Sequence, residues 1–144
     1  MTGNMAASPM LFVYGTLMSQ ARSVYGAAER ARLDGASRVV GPAMIEGHLF
    51  DLGAFPGLVL KAPGGGTPSR IEGELRELVD PSAVFAWLDL YEGMGAADPL
   101  DDPYRRELRE VLVAETGRVL PAWVYVYQGA LEGARLLPVG RWSA

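Results

Sequence analysis

At about 100° per residue, Pro81, Phe85, Leu88 and Glu92 fall on one face of a helix, so a carboxylate continues an apolar stripe. Desolvation against that stripe and the negative end of the helix dipole both disfavour the ionised carboxylate. A carboxyl group with a raised pKa suits a general base and acid working near neutral pH. Asp89, at the edge of the same stripe, is the nearest competitor for that role. Gly93 leaves a plainer alternative, in which Glu92 sits at a frayed helix end and reaches water. The second chemical feature lies at the other end of the chain. Met10-Leu11-Phe12-Val13 is an apolar strand that breaks at Tyr14-Gly15-Thr16 and leaves backbone N–H groups beyond it. Such a loop grips a carboxylate, a phosphate or an oxyanion, or is only the turn after a core strand.

Other chemistries are excluded by residue type. The chain has no cysteine and one histidine, His48, so thiol nucleophiles, disulfides and histidine or cysteine metal clusters are ruled out. Asp98, Asp101 and Asp102 miss the spacing of a calcium loop, and Pro99 and Pro103 interrupt them, so no metal is expected. Pro63-Gly64-Gly65-Gly66-Thr67 lacks the Gly-Lys-Ser/Thr ending of a nucleotide loop. Glu72, Glu74 and Glu77 read as a solvated strand face, and Glu107 and Glu110 as cross-strand partners of neighbouring arginines. His48, Tyr104, Tyr125 and Tyr127 read by residue type as packing groups. Catalysis, if present, must run on carboxylates, hydroxyls and backbone dipoles.

The elements that would position these groups are mostly strands. A chain of 144 residues with 49% hydrophobic content makes one domain, read as residues 10–144 behind a flexible tail, 1–9. Residues 19–32 form a partly helical connector, and residues 38–52 form short bent strands broken at Gly41-Pro42 and Gly47. A short strand starts at Leu58, and residues 71–78 alternate as a half-exposed strand. Asp80 caps the one firm helix, Pro81 takes its first position, and Gly93 and Gly95 stop it after about Glu92. Residues 93–103 are a polar loop, residues 104–115 and 120–127 are strands, and residues 135–142 close the chain. The expected class is α+β, built on a mainly antiparallel, barrel-like sheet.

Charge and hydropathy bound the partners. The net charge is −4 and no basic cluster exists beyond Arg105-Arg106, so nucleic acid is not an expected partner. Residues 1–9 lack a basic start followed by an apolar stretch, and no apolar run reaches bilayer length. A cytoplasmic protein with no membrane partner is the expectation. Lys61 is the only lysine among 13 basic residues, which points to a GC-rich bacterial genome.

Six motifs occur in order: Tyr14-Gly15-Thr16-Leu17, Phe55-Pro56-Gly57, Gly73-Glu74-Leu75, Leu88-Asp89-Leu90-Tyr91-Glu92-Gly93, Pro103-Tyr104-Arg105-Arg106 and Ala122-Trp123-Val124-Tyr125. With them, residues 10–127 resemble the gamma-glutamylcyclotransferase-like family, which includes AIG2-like proteins and gamma-glutamylamine cyclotransferases. The resemblance implies a small mixed barrel with flanking helices and a cavity at one end, without metal or cofactor, as monomer or homodimer. It implies attack of a gamma-glutamyl α-amine on its own γ-carbonyl, releasing an amine or amino acid and 5-oxoproline. Carried onto this chain, Tyr14, Gly15, Thr16, Leu17 and Met18 would hold the glutamyl group, largely through backbone groups, with Tyr104 beside them. Glu92 would take a proton from the α-ammonium and pass one to the departing nitrogen. Met18 stands where relatives often carry a basic or polar residue. The donor is left open between a gamma-glutamyl amino acid, a gamma-glutamyl amine and an acylated intermediate, with residues 93–103 placed to shape the choice. The alternative is a non-catalytic AIG2-like domain that binds a small metabolite or a protein. Such a binder has no need of a carboxylate at position 92.

Overall fold

The apolar run near the start of the chain becomes β1 (Met10–Val13), a strand covered on both faces. Phe12 packs with Leu75, Val111 and Val124, whereas Leu11 and Val13 pack with Leu33, Phe85 and Leu88. Burial on two sides explains why the run shows no polar alternation. The computed structural model describes residues 8–15, 17–18, 21, 26–61, 65–137, 140 and 142. After β1 come α1 (Ala27–Gly35), β2 (Ser37–Asp51), β3 (Pro56–Val59), β4 (Ser69–Leu78) and α2 (Pro81–Tyr91). A 3₁₀ turn (Pro99–Asp101) then leads to β5 (Tyr104–Val113), β6 (Val119–Tyr127) and β7 (Arg135–Leu136).

Strands β2, β4, β1, β6 and β5 are neighbours in that order, and β2 pairs again with β5 through Ala43 opposite Val113. The ring closes into a five-stranded barrel, mixed because β1 runs parallel to β6 and antiparallel to β4. With the two α-helices among the described residues this is the expected α+β fold.

Several local expectations are corrected. The short bent strands expected over residues 38–52 are one 15-residue strand, β2. A bulge between Val39 and Gly41 absorbs the first irregularity. At Gly47 and His48 the strand passes from β4 to β3 without breaking, so long-range pairing overrides the local punctuation. Helix α1 runs to Gly35, past the expected end of the connector. Ser8 and Pro9, assigned to the tail, are bonded into the sheet: Trp123 Nε1 donates to the Ser8 carbonyl at 3.1 Å, and the Leu78 N–H donates to that of Pro9 at 2.7 Å.

Strand β4 is mostly buried, not half exposed, and Glu74 is not on a solvated face. Arg76, 1% exposed, lies beside it with Nε 3.4 Å from the Glu74 carboxylate. Its guanidinium donates to Ser37 Oγ at 3.0 Å, to Asp34 Oδ1 at 2.6 Å and to the Leu17 carbonyl at 3.3 Å. A buried charge persists only when partnered in this way. The consequence is positional, because Arg76 ties the loop after β1 to β4 and α1. Glu107 also differs from expectation, since its arginines are Arg105 and Arg109, two residues away on its own strand.

Helix α2 forms as its sequence dictates. Asp80 accepts from the Ala83 N–H at 3.3 Å, Pro81 follows, and Val84, Phe85 and Leu88 are buried. In the loop beyond it, Asp98 caps the 3₁₀ turn and Asp102 accepts from the N–H groups of Gly95 and Ala96. These aspartates organise their own backbone.

Candidate active site

Glu92 is the C-cap of α2, its N–H donating to the Leu88 carbonyl at 2.9 Å. The chain then turns at Gly93, whose φ of +90° suits glycine. A Cβ there would lie 2.6 Å from Pro103 Cγ, so the helix end and the start of β5 meet at the closest distance a glycine permits. Gly15 makes a similar contact, with a Cβ at 2.9 Å from Pro56 Cγ and Cδ. These two approaches draw the loop after β1, the start of β3 and the end of α2 together around one end of the barrel.

Between them lies a cavity of about 200 Å³. Its walls include Tyr14, Gly15, Leu17, Phe55, Pro56, Tyr91, Glu92, Tyr104 and Tyr125. The Tyr14 hydroxyl donates to the Tyr125 carbonyl at 2.6 Å and accepts from the Leu58 N–H at 3.2 Å. The Tyr104 hydroxyl donates to the Pro56 carbonyl at 2.7 Å. Both tyrosines therefore spend their hydroxyls on backbone and hold β1, β3, β5 and β6 in register around the cavity. Burial pushes the Tyr14 and Tyr125 hydroxyls well above the ordinary tyrosine range, which keeps both neutral.

Among the described lining residues the one carboxyl side chain is that of Glu92. Burial pushes it up to about 8, and the nearby charge of Asp89 adds to the shift. Asp89 itself is fully engaged. It accepts from Arg106 Nε at 2.9 Å, from Arg106 Nη2 at 3.2 Å and from the Tyr125 hydroxyl at 2.6 Å. Arg106 is in turn held over aromatic rings, 3.9 Å from the centroid of Phe85 and 4.5 Å from that of Trp123. Of the two acids that compete in the sequence, Asp89 is locked in an ion pair and Glu92 faces the cavity.

The structure thus brings Tyr14, Gly15, Leu17, Glu92 and Tyr104 to one cavity. Met18 is not in its lining; it is partly buried against the cluster that contains Leu33, Leu78 and Val84. Thr16 lies outside the described residues. Phe55, Pro56 and Tyr125 are cavity residues that composition and spacing did not single out. Their signal was membership of the ordered motifs Phe55-Pro56-Gly57 and Ala122-Trp123-Val124-Tyr125.

Among the described lining residues there is no serine, cysteine or lysine to act as a nucleophile. What the cavity offers is a carboxyl group able to gain and lose a proton near neutral pH, within rigid aromatic walls. Among the described residues no group of three or more His, Asp or Glu side chains is placed to hold a metal ion. No helix among them is long and apolar enough to cross a membrane.

Comparison with known proteins bears on the same region. The sequence model of a family described as "Gamma-glutamyl cyclotransferase, AIG2-like" matches residues 11–144. A "Gamma-glutamylcyclotransferase family protein ytfP" from Citrobacter rodentium is 29% identical over 133 residues, covering 92% of this chain and 93% of that protein. Its Escherichia coli K12 counterpart is 28% identical over 133 residues, at 92% and 94% coverage. Among solved structures, an aig2-like protein from Mus musculus superimposes with a TM-score of 0.61 at 23% identity, covering 86% of this chain and 80% of that one. Escherichia coli ytfP gives 0.58 at 24% identity, with 92% and 95% covered. YkqA from Bacillus subtilis gives 0.64 at 21% identity; 93% of this chain matches 39% of that longer one. These structural likenesses show the fold.

Proposed function

Because the chain belongs to the gamma-glutamyl cyclotransferase, AIG2-like family, we propose that it is a cyclotransferase whose proton carrier is Glu92. The reading rests on one observation above others: a carboxyl group raised to about 8 faces a cavity whose described lining includes no serine, cysteine or lysine. A gamma-glutamyl donor supplies its own nucleophile, so the protein need only fold it, move protons and stabilise an oxyanion.

The donor's glutamyl part lies against Tyr14, Gly15 and Leu17, its α-ammonium beside Glu92. The Glu92 carboxylate takes a proton from that ammonium. The freed amine attacks the γ-carbonyl carbon, a C–N bond forms in the five-membered ring, and negative charge gathers on the carbonyl oxygen. Backbone N–H groups of the loop after β1 serve as its donors. The intermediate collapses with cleavage of the original γ-amide bond, and Glu92 delivers a proton to the departing nitrogen. In total the α-nitrogen loses two protons and the leaving nitrogen gains two, so the products are 5-oxoproline and an ammonium, with no water consumed.

A carboxyl near 8 suits this exchange because its proton affinity lies close to that of the amine it serves. The ring walls of Tyr14, Tyr104 and Tyr125 contribute rigidity and exclusion of water, and act through geometry rather than through their hydroxyl protons.

Reaction in ¹⁸O-labelled water separates cyclisation from hydrolysis. Cyclisation yields unlabelled 5-oxoproline from a gamma-glutamyl donor. Labelled glutamate would identify a hydrolase, and binding without turnover across donors would identify the non-catalytic domain.

A further inference from the structure

The buried ion cluster on β4 takes no part in the proton transfers, yet one of its bonds ends at the cavity wall. Leu75 packs inside the barrel, and Arg76 lies on the opposite face of the strand with Glu74 and Leu78. Arg76 is not in the cavity lining, but its Nη2 donates to the carbonyl of Leu17, which is, at 3.3 Å. We infer that Arg76 is a positioning residue for the reaction: it holds the Leu17 carbonyl turned out of the cavity, so that the loop after β1 meets the developing oxyanion with N–H groups and not with an acceptor. The inference rests on the cyclotransferase reading of the Glu92 cavity.

Hydrogen bonding in the loop carries the first step. A loop that stabilises a negative oxygen must aim donors at it and keep its carbonyls elsewhere, because a carbonyl oxygen facing the same point repels the charge. Three carbonyls of this loop are already held. That of Gly15 accepts from the Met18 N–H at 3.1 Å, which draws residues 15 and 18 together, and that of Met18 accepts from the Ala21 N–H at 3.0 Å. Both bonds are made by nearby backbone. The Leu17 carbonyl lies between them and depends on a side chain from another strand. It shares a planar peptide unit with the Met18 N–H, and the two point in opposite directions. A swing of this carbonyl toward the cavity would therefore also pull the Met18 N–H from Gly15.

The anchoring of Arg76 carries the second step. Its Nη1 donates to Ser37 Oγ at 3.0 Å and its Nη2 to Asp34 Oδ1 at 2.6 Å, while its Nε lies 3.4 Å from the Glu74 carboxylate. Ser37 in turn donates to the Leu33 carbonyl at 2.6 Å. Partners on α1, β2 and β4 thus fix the guanidinium fork, and the Leu17 carbonyl meets a donor that does not move with the loop. Two carboxylates face the one guanidinium, so the cluster presents no net positive charge to an anionic donor group. What it transmits to the cavity is the orientation of the Leu17 peptide.

The test uses two variants and a control. Arg76→Lys keeps a charge for Asp34 and Glu74 but lacks the planar fork that reaches Leu17 at the same time, and Arg76→Met removes charge and donors together. Val113→Ala, in the other core cluster and outside the cavity lining, controls for lost stability alone. The readouts are kcat and KM for 5-oxoproline release from γ-glutamyl-alanine and γ-glutamyl-methylamine, and hydrogen exchange of the Met18 amide. Both Arg76 variants should lose about tenfold or more in kcat with KM changed by less than about threefold, since the oxyanion forms only after binding. Their Met18 amide should exchange about tenfold faster or more relative to the amides of β4, and the control should show neither change. Native kcat or native Met18 exchange in a folded Arg76 variant overturns the inference, and Arg76→Lys decides it where Arg76→Met does not fold. Faster Met18 exchange in the variants, with no 5-oxoproline from either donor even by the native chain, overturns the cyclotransferase reading and upholds the grip of Arg76 on the loop.

Discussion

Arg106 grips Asp89 through a bidentate ion pair, Nε to Oδ1 at 2.9 Å and Nη2 to Oδ2 at 3.2 Å, three residues before Glu92. Residues three apart on a helix are neighbours, so Asp89 is a fixed like charge beside the Glu92 carboxyl. Its position is set from outside the cavity, by a cation clamped between Phe85 and Trp123.

Replacing Asp89 with Asn keeps an acceptor for Tyr125 and removes the charge. The Glu92 midpoint should fall below about 8, because burial then acts without its like-charged neighbour. Titration of the Glu92 carboxyl carbon by NMR measures it. An unchanged or higher midpoint would mean that Asp89 does not act on Glu92.

The raised Glu92 pKa also sets a stability trend. The group binds its proton more tightly in the folded chain, at about 8, than at its ordinary value of 4.5. Between those values the folded chain keeps a proton that the unfolded chain has released, so its stability falls as pH rises through that window and stays lower above it. Glu92→Gln removes the cost, and should stabilise the protein at pH 9 by on the order of a few kcal/mol. The gain should vanish near pH 4. Thermal melts of both proteins across that range would show the difference, and a constant offset would contradict the shift.

Much of the helix and its acid was legible before the fold was seen. Asp80, Pro81 and the Phe85-Leu88-Glu92 spacing encode a cap, a start and a buried face within a dozen residues, and α2 has all three. The continuity of β2 was not legible, because Gly41, Pro42 and Gly47 read locally as breaks and only pairing with β4 and β3 carries the strand across them. Glu74 was misplaced for a similar reason. Alternation within one strand does not reveal what covers it, and here the covering groups come from residues 17, 34 and 37. Tyr125 looked like packing and is both packing and cavity wall, since both faces of β6 are covered.

Gly15 supplies a test of the loop's placement. An alanine there drives its Cβ to 2.9 Å from the Pro56 ring, which should cost about 1–3 kcal/mol and displace the loop from the cavity. Pro56→Ala removes the obstructing ring atoms. The double variant should therefore be more stable, and turn over donor faster, than the two single effects predict by addition. Strict additivity in denaturant unfolding would show that the contact does not hold the loop.

The central claim is that Glu92 carries the protons of an intramolecular cyclisation. Single-turnover release of 5-oxoproline from a gamma-glutamyl donor, by the native chain and by Glu92→Gln at matched folded concentration, addresses it most directly. The account predicts a loss of about 10²- to 10⁴-fold in the variant with donor binding retained, and a native rate that rises with pH through about 8 as Glu92 gives up its proton. Equal rates in the two proteins would contradict it.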